Sequence, residues 1–313
     1  MKNKFTQALL GVAFVFLCFK GFQSWSVETE FEEAISKTIA IKKDEHLKMD
    51  FSIGMITIEA SDEFEQIEYQ AQFKLTGKAA EKQLKALDLF VWEFDSDEEG
   101  EVIRMDWKDK KWLKGWNVSV KHTLKVPSEI NIEARTAGGK ITVSDLNGDL
   151  KAQTSGGSIE IGEINGIVDV KTSGGTIKAQ SINGSATLQT SGGSIKAGNI
   201  NGPLNARTSG GSIAIESVFG KLEARTSGGS IKSKLTQQFN ESVVMETSGG
   251  SISLILPEGF GAELSAKTSG GRVSCQLPFI GKSKKSNMEG TINQGGPEVR
   301  LRTSGGSISV LSE

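Results

Sequence analysis

Residues 190–207 read TSGGSIKAGNINGPLNAR, and this stretch is one copy of a repeat that decides the fold. The motif Thr-(Ser/Ala)-Gly-Gly that opens it occurs nine times. The interval between copies is 18 throughout the first six, and the last three follow at intervals of 21, 21 and 35. The copies begin at Thr136, Thr154, Thr172, Thr190, Thr208, Thr226, Thr247, Thr268 and Thr303. A fixed period of this length is typical of a solenoid, in which each repeat is one coil that buries its apolar face against its neighbours.

Each repeat divides into two similar halves. Ile195, Leu204 and Ile213 recur at a constant interval of half a repeat, and a second apolar residue follows each of them two positions later. Apolar residues at alternate positions are the pattern of a strand with one buried face. The sequence therefore predicts an all-β chain folded as a β-solenoid, or parallel β-helix, with two strands in every 18-residue coil. Nine such coils would form a rod about 40 Å long at about 4.8 Å per coil.

The two turns of the coil differ in composition. One is Ser-Gly-Gly, where we expect the glycines to adopt positive φ angles that other residues resist. The other is Asn-Gly, and stacking would bring its asparagines into a column of amides that hydrogen-bond along the rod. We interpret this column as a structural ladder and not as a ligand site. Its members are Asn147, Asn165, Asn183 and Asn201.

Residues 1–26 have the features of an export signal peptide. Lys2 and Lys4 precede an almost wholly apolar run from Phe5 to Phe19, and a polar stretch follows as far as Ser26. A basic start, a short apolar run and small residues at the end are the three regions of such a signal. We therefore expect this segment to be removed during export to the periplasm or the cell surface. The alternative is an uncleaved segment that anchors the chain to the inner membrane.

Residues 27–133 are less regular than the repeats and carry a different charge. They contain 15 Lys and Arg against 24 Asp and Glu, whereas residues 134–313 contain 18 against 14. Alternating stretches predict strands, and residues 78–88 (KAAEKQLKALD) have the composition of a helix. We predict a small β-rich cap with one helix over residues 27–133, which shields the first coil of the solenoid in residues 134–313. Residues 278–294 interrupt the last repeats and are expected to form a protruding loop.

Residues that would indicate catalysis are scarce. The chain has two histidines, His46 and His122, and its sequence contains no zinc-binding spacing and no nucleotide-binding glycine motif. The acidic residues of the regular repeats are scattered, whereas a polysaccharide-cleaving enzyme needs a pair of carboxylates in one cleft. We therefore expect a protein that is not an enzyme and has no cofactor and no metal. The alternative is a polysaccharide-modifying β-helix enzyme, in which the late, irregular coils bring acids into one groove.

Candidate binding residues lie in two columns and one cluster. Stacking aligns the position before each motif threonine in one outward column, and the position after the first isoleucine of each coil in another, on opposite faces. Both columns are partly basic: they are either a solvated surface or a surface that attracts an anionic polymer. The tryptophans of residues 107–116 either pack between cap and rod or stack on sugar rings. The candidates are Lys171, Arg207 and Arg225 in the first column, Lys178, Lys196 and Lys232 in the second, and Trp112 and Trp116 in the cluster.

The order and spacing of these motifs resemble the putative-adhesin family of bacterial β-strand-repeat proteins, a family classed as a domain of unknown function. The resemblance covers most of the chain after residue 26 and implies a β-solenoid with a role in adhesion or envelope association. It implies no catalytic or binding residue, because the family has no defined site motif. The segments that carry it are the repeated Thr-Ser-Gly-Gly-Ser-Ile, Val126-Pro127, Leu256-Pro257, Leu277-Pro278 and residues 290–296 (GTINQGG).

Together these features predict a non-enzymatic, exported binding or scaffolding rod of the bacterial cell envelope. It would act by multivalent contact, through weak sites repeated along a rigid ladder. Its partner would be an envelope polysaccharide or another anionic cell-surface polymer, or a membrane or envelope protein, and not nucleic acid. A third interpretation is an envelope assembly or stress accessory whose acidic cap docks on a membrane partner. The sequence leaves the oligomeric state open.

Overall fold

The structure, a computed structural model, describes residues 32–42, 45–76, 90–108 and 117–313. Within these ranges the chain forms 27 β-strands and no helix. This part of the chain accordingly contains no helix that is long and apolar enough to span a membrane. The predicted helix over residues 78–88 and the predicted export signal over residues 1–26 both lie outside the described residues.

The strands fall into three groups along the chain. The first group is β1 (Glu32–Ala40), β2 (His46–Phe51), β3 (Met55–Ser61), β4 (Gln66–Thr76), β5 (Phe90–Ser96), β6 (Gly100–Trp107) and β7 (Asn117–Pro127). The second group is β8 (Asn131–Thr136), β9 (Ile141–Val143), β10 (Leu150–Thr154), β11 (Ile159–Ile164), β12 (Val168–Thr172), β13 (Ile177–Ile182), β14 (Ala186–Gln189), β15 (Ile195–Ile200), β16 (Leu204–Arg207), β17 (Ile213–Val218), β18 (Leu222–Thr226), β19 (Ile231–Lys234), β20 (Val243–Thr247) and β21 (Ile252–Leu256). The third group is β22 (Ala262–Thr268), β23 (Val273–Cys275), β24 (Phe279–Lys284), β25 (Asn287–Ile292), β26 (Glu298–Thr303) and β27 (Ile308–Ser312).

Successive strands along the chain alternate between two long sheets, so each coil contributes one strand to each sheet. Even-numbered strands from β8 to β20 belong to a 14-stranded sheet, and odd-numbered strands from β9 to β21 belong to a 13-stranded sheet. Each strand of the regular repeats pairs in parallel with the strand one coil away, as Leu150 does with Val168 and Ile159 with Ile177. The prediction of a β-solenoid with two strands in each 18-residue coil is therefore confirmed.

The apolar residues of both sheets form one continuous core between them. In the coil that begins at Thr190, the inward residues Ile195, Ile200 and Leu204 are at most 2% exposed. Burial of each such aliphatic side chain contributes about 1.5–3 kcal/mol to folding. Because successive side chains of a strand point to opposite faces, the polar residues between them form the outer faces of the rod.

The stacking of coils continues into the segment before residue 134. β2 pairs in parallel with β8 and β3 with β9, so residues 46–61 form one more coil. β6 and β7 pair in parallel with β2 and β3 and form another. Antiparallel strands end the stack: β4 and β1 extend the 13-stranded sheet, and β5 extends the 14-stranded sheet. These two coils lack the Thr-Ser-Gly-Gly motif, and a domain boundary at residue 133 stays a prediction.

At the opposite end, the coils do not stack in the order of the sequence. β26 lies between β20 and β22, and β27 lies between β21 and β23. The last coil of the chain is therefore inserted between two coils that precede it in the sequence. Leu301 of β26 pairs with Met245 on one side and with Ala266 on the other. Residues 262–275 thereby become the outermost coil at this end.

Residues 278–294 form a β-hairpin, so the prediction of a protruding loop is wrong. β25 pairs antiparallel with β22, and β24 pairs antiparallel with β25. Met288 and Ile292 of the hairpin are buried against the end of the core, which gives this segment a packed position. The hairpin covers the edge of β22, where a further parallel coil would otherwise add. The described residues thus form eleven stacked coils, which span about 50 Å at about 4.8 Å per coil.

Candidate functional site

The threonine of each motif joins its coil to the neighbouring one through its hydroxyl group. Thr190 Oγ1 donates to the carbonyl oxygen of Gly175 at 2.8 Å and accepts from the N–H of Gly193 at 3.3 Å. The donated bond is present at all nine copies of the motif. These threonines are also buried. A buried hydroxyl that uses both its donor and its acceptor in this way holds the fold together.

The second glycine of each motif marks a close approach of neighbouring backbones. A methyl group on Gly193 would lie 2.0 Å from the carbonyl oxygen of Gly175. A methyl group on Gly192 would lie 3.4 Å from the carbonyl oxygen of Gly174, an ordinary contact. The motif glycines do not have positive φ angles, so that expectation is wrong. Glycine is needed at the second position because the coils touch there.

The asparagine side chains form a chain of hydrogen bonds along the Asn-Gly edge of the rod. Asn165 Nδ2 donates to Asn147 Oδ1 at 2.6 Å. Asn183 donates to Asn165, and Asn201 donates to Asn183, at 2.5 Å each. Phe219 occupies the next position, where the chain of amides ends. The amides thus connect successive turns, as a structural ladder does.

One cluster of titratable groups is buried in the coils before residue 134. His122 is fully buried, with Nε2 3.0 Å from the carbonyl oxygen of Ile53 and Nδ1 2.9 Å from the Tyr69 hydroxyl. Because a carbonyl only accepts, Nε2 carries the proton, and Nδ1 accepts from Tyr69. The Tyr69 hydroxyl in turn accepts from Trp92 Nε1 at 3.3 Å. Burial lowers the pKa of His122 to about 4 and raises the pKa of Tyr69.

We expect this cluster to make the protein lose stability as the pH falls from about 6.5 to about 4. The unfolded chain binds a proton at the ordinary histidine pKa of 6.5, whereas the folded chain resists protonation of His122 until about pH 4. Acid therefore favours the unfolded state across this window, and the full loss is about 3 kcal/mol. Thermal unfolding of the wild type and of His122→Gln between pH 7 and pH 4 measures it. The variant should be less stable than the wild type at pH 7, and its melting temperature should change less with pH. An equal change of melting temperature with pH in both proteins would contradict the assignment of this loss to His122.

The two basic columns lie on the outer faces of the two sheets. The first column belongs to the 14-stranded sheet, where Lys171, Arg207 and Arg225 occupy one register position in successive coils, together with Gln189. The second column belongs to the 13-stranded sheet and contains Lys178, Lys196 and Lys232. The structure thus places the columns on opposite sides of the rod. Trp112 and Trp116 lie outside the described residues.

A groove runs beside the first column, along the Thr-Ser-Gly-Gly edge of the rod. Its volume is about 760 Å³, and its lining residues come from seven successive coils. We call it the serine-edge groove, because the serines of the motif form one wall and the basic column forms the other. In spatial order the basic wall is Lys171, Gln189, Arg207, Arg225, Glu246, Arg302 and Lys267. The serine wall is Ser191, Ser209, Ser227, Ser248, Ser304 and Ser269.

Two basic residues of the groove were not among the candidates from the sequence. Arg302 and Lys267 belong to the irregular repeats, whose coils stack out of chain order. Each nevertheless stands directly before a motif threonine, Thr303 or Thr268, as Arg207 stands before Thr208. Extension of the same rule to the last two copies of the motif would have found them.

The basic residues of the groove differ in their partners. Arg225 Nε is 2.9 Å from Glu246 Oε2, and both Arg207 and Arg225 contact Glu223 on the neighbouring outward column. Lys171 Nζ is 3.1 Å from Asp169 Oδ2. Pairs at a protein surface, half in solvent as these are, contribute about 1 kcal/mol, so a ligand can replace them at modest cost. Among the described residues, Arg302 and Lys267 have no carboxylate within 4.0 Å, and both are exposed.

The second column is interrupted and partly neutralised. Lys178 Nζ is 2.9 Å from Glu160 Oε1, and Lys140 pairs with the same carboxylate. Lys140 and Lys178 together lower the pKa of Glu160. Ala214 stands between Lys196 and Lys232, so the column has a gap there. The second column therefore carries three basic side chains, against five along the groove.

Three carboxylates come together in the late coils, as the enzyme alternative requires. Glu263, Glu289 and Glu298 line a depression of about 500 Å³ beside the hairpin. All three are exposed, and Thr291 Oγ1 donates to Glu263 while Arg300 pairs with Glu298. Catalytic carboxylates usually lie in a site that excludes water, whereas these three side chains are exposed to solvent. In the part of the chain that the structure describes, no three His, Cys, Asp or Glu side chains are grouped as metal ligands.

The fold and the groove define a class of protein, a two-sheet parallel β-solenoid with an extended polar surface along one edge. The chain belongs to the Toastrack DUF4097 family, which matches residues 56–311. This match confirms the resemblance that the repeat motifs predicted. No curated protein matches the sequence.

Several solved structures match most of the chain, and each shares little sequence with it. A putative cell adhesion protein from Clostridium sporogenes ATCC 15579 is 13% identical, with 91% of this chain and 100% of the other covered and a TM-score of 0.22. A putative adhesin from Bacteroides fragilis NCTC 9343 is 13% identical, with 89% and 96% covered and a TM-score of 0.37. A putative adhesin from Parabacteroides merdae ATCC 43184 is 10% identical, with 88% and 95% covered and a TM-score of 0.43.

Proposed function

We propose that the protein is a non-enzymatic, adhesin-like solenoid that binds an anionic polymer of the bacterial cell envelope by multivalent contact. The observation that carries this proposal is the column along the serine-edge groove, in which five of the seven coils carry a basic side chain. A ligand with repeating charges can contact such a column at several coils at once. Weak contacts that form together on one rigid rod add up to a strong attachment, because each bound contact raises the local concentration of the next.

The rigidity of the rod supports this proposal. Parallel pairing in two sheets, a continuous core and a threonine hydroxyl at every motif hold neighbouring coils in one register. A rigid column keeps its charges at fixed spacings before the ligand arrives. Little backbone conformational entropy is then lost on binding, which favours affinity.

The proposal places the protein outside the cytoplasm, in the periplasm or at the cell surface. Residues 1–26 carry the features of a signal peptide, and an uncleaved anchor in the inner membrane is the alternative. The intact mass of the protein recovered from fractionated cells distinguishes the two. A chain that begins near Val27 supports export with cleavage, and a full-length chain in the inner membrane fraction supports the anchor.

Co-sedimentation of the purified protein with isolated envelope polymers tests the binding function. We expect binding at low salt that weakens strongly at high salt, because the Debye length falls from about 10 Å at 0.1 M to about 3 Å at 1 M. An unrelated protein of the same net charge serves as the control for trapping in the pellet. Absence of binding at both salt concentrations would contradict the proposal and turn the search towards a protein partner.

A polysaccharide-modifying enzyme is the second candidate function, and the depression lined by Glu263, Glu289 and Glu298 is the observation that favours it. Such an enzyme would release new reducing ends or unsaturated products from the polymer that it binds. Incubation of the protein with the same envelope polymers, followed by product analysis, tests this. Release that disappears in Glu263→Gln or Glu289→Gln would replace the binding proposal with the enzymatic one.

A further inference from the structure

We propose that the serine-edge groove binds one extended chain of a linear, carboxylate-bearing polysaccharide, which lies parallel to the rod axis from Lys171 to Lys267. The inference rests on the proposed function and names the site and the ligand chemistry for it. It also assigns the affinity chiefly to Arg302 and Lys267, at the end of the groove that the inserted coil builds.

The shape of the groove favours a polymer over a small molecule. The six intervals of about 4.8 Å between the seven coils give the groove a length of about 29 Å. Its volume of about 760 Å³ then corresponds to a mean cross-section of about 26 Å². A small ligand would leave most of so long a groove empty, whereas small-molecule sites enclose their ligands. The section has room for one extended chain.

The charge of the groove favours an anionic ligand. Its basic wall holds five cationic side chains and the carboxylate of Glu246. Even with the adjacent carboxylates of Glu223 and Asp169, cations outnumber carboxylates along the groove. Three of the five are arginines, whose planar guanidinium groups match the geometry of a carboxylate and bind it through two parallel hydrogen bonds. The spacings between them are multiples of one coil, so a polymer with regularly spaced carboxylates can contact several at once.

The opposite wall favours a sugar over other polyanions. Six serine hydroxyls follow one another along it, and each can donate and accept a hydrogen bond, as the hydroxyl groups of a sugar require. The groove is lined by no aromatic side chain from the described residues, so it lacks the platforms on which proteins stack the bases of single-stranded nucleic acid. A peptide could not add to the sheet here, because the strands that bear the groove are already paired on both sides.

The basic residues of the groove differ in how readily they can bind a ligand carboxylate, because some of them already form ion pairs. A ligand carboxylate at Arg207 or Arg225 competes with Glu223 and Glu246, which already contact these guanidinium groups. A carboxylate at Arg302 or Lys267 displaces no internal partner among the described residues. Because these two lie in adjacent coils, one ligand segment can contact both. We therefore expect them to contribute more to affinity than the other basic residues of the wall.

Binding of the full-length protein to polygalacturonate, a linear polymer with one carboxylate per sugar, tests this inference. The groove variant Arg302→Gln/Lys267→Gln should raise Kd at least about tenfold, in line with the loss of two charge-assisted hydrogen bonds. The matched control is Lys196→Gln/Lys232→Gln on the second column, which removes the same charge from exposed residues of the opposite face. We expect the control to change Kd less than about twofold at moderate salt. Those lysines lie on the opposite face of the rod, more than a Debye length of about 10 Å from the groove. Unchanged melting temperatures of both variants show that folding is intact.

Two further probes distinguish recognition of the sugar hydroxyl groups from attraction to the negative charge. Dextran, a neutral polysaccharide, should not bind, and polyphosphate, a polyanion without sugar, should bind more weakly than polygalacturonate. Ser227→Ala/Ser248→Ala should weaken binding of polygalacturonate and leave polyphosphate unaffected. Affinity for galacturonate oligomers should rise with length until an oligomer spans the seven coils, and then level off.

Each result that differs from these expectations would overturn one part of the inference. Equal losses in the groove variant and in the control would mean that overall charge, and not the groove, attracts the polymer. Polyphosphate or single-stranded DNA bound as tightly as polygalacturonate would overturn the choice of a sugar. No binding of polygalacturonate by a protein that co-sediments with envelope polymers would overturn this inference and leave the proposed function intact. Failure in both experiments would overturn both.

Discussion

Replacement of Gly193 by alanine is expected to destabilise the solenoid by several kcal/mol, whereas the same replacement at Gly192 is expected to change stability by about 1 kcal/mol or less. A methyl group on Gly193 would lie 2.0 Å from the carbonyl oxygen and 2.4 Å from the carbonyl carbon of Gly175. Backbone atoms in a paired coil cannot move aside as a flexible side chain can. The coils would have to separate, and the hydrogen bond from Thr190 to Gly175 would be strained.

The two neighbouring glycines form a matched pair, because neither has a positive φ angle. A difference between them therefore reports the space between coils and not the conformational preference of alanine. Chemical denaturation of both variants measures the difference in the free energy of unfolding. Gly157→Ala and Gly156→Ala repeat the comparison in another coil, where the methyl groups would lie 1.9 Å and 3.8 Å from the nearest atom. Equal stability within each pair would contradict the close approach of the coils.

Replacement of Leu301 by alanine is expected to cost about 2–5 kcal/mol, the usual range for truncation of a buried leucine. Its side chain is fully buried, in the coil that lies between β20 and β22. Because residues 262–275 form the outermost coil, they can stay in place only while residues 298–312 are folded beneath them. Loosening of the last coil of the chain should therefore also release a segment that precedes it in the sequence.

Hydrogen exchange of the backbone amides tests whether these two segments loosen together. In Leu301→Ala, protection should fall in residues 298–312 and in residues 262–275 together, because locally unfolding units follow contacts in space. Leu188→Ala provides the control, since Leu188 is equally buried in a coil that stacks in chain order. It should lose comparable stability without selective exposure of residues 262–275. Faster exchange confined to residues 298–312 would contradict the inserted coil.

The coil itself could be predicted in detail from the repeat. The constant interval between motifs, the inward positions such as Ile195 and Leu204, and the column of asparagines are all periodic features of the sequence. Parallel stacking converts such a period directly into columns, because equivalent residues of successive coils become neighbours in a sheet. The first basic column was predictable for the same reason, and with it Lys171, Arg207 and Arg225.

The two coils before residue 134 were not predictable from the repeat, because they carry no copy of the motif. Residues 46–61 and the pair β6 and β7 join the stack through apolar residues such as Leu47, Ile56 and Met105, which could equally belong to a separate cap. The prediction that the motif glycines adopt positive φ angles was also wrong. The sequence shows that glycine recurs, and only the distance between coils shows that Gly193 is constrained and Gly192 is not.

The sequence by itself therefore determined the coil, its two sheets and the columns along them, since these depend on residues a fixed interval apart. The tertiary structure alone decided the order of the last coils and the hairpin that covers them. Successive coils present similar apolar residues and similar backbone edges to one another, so local patterns do not specify which coil stacks on which. That choice depends on pairings between distant residues, such as Leu301 with Met245 and with Ala266. The same choice brings Arg302 and Lys267 side by side and completes the serine-edge groove.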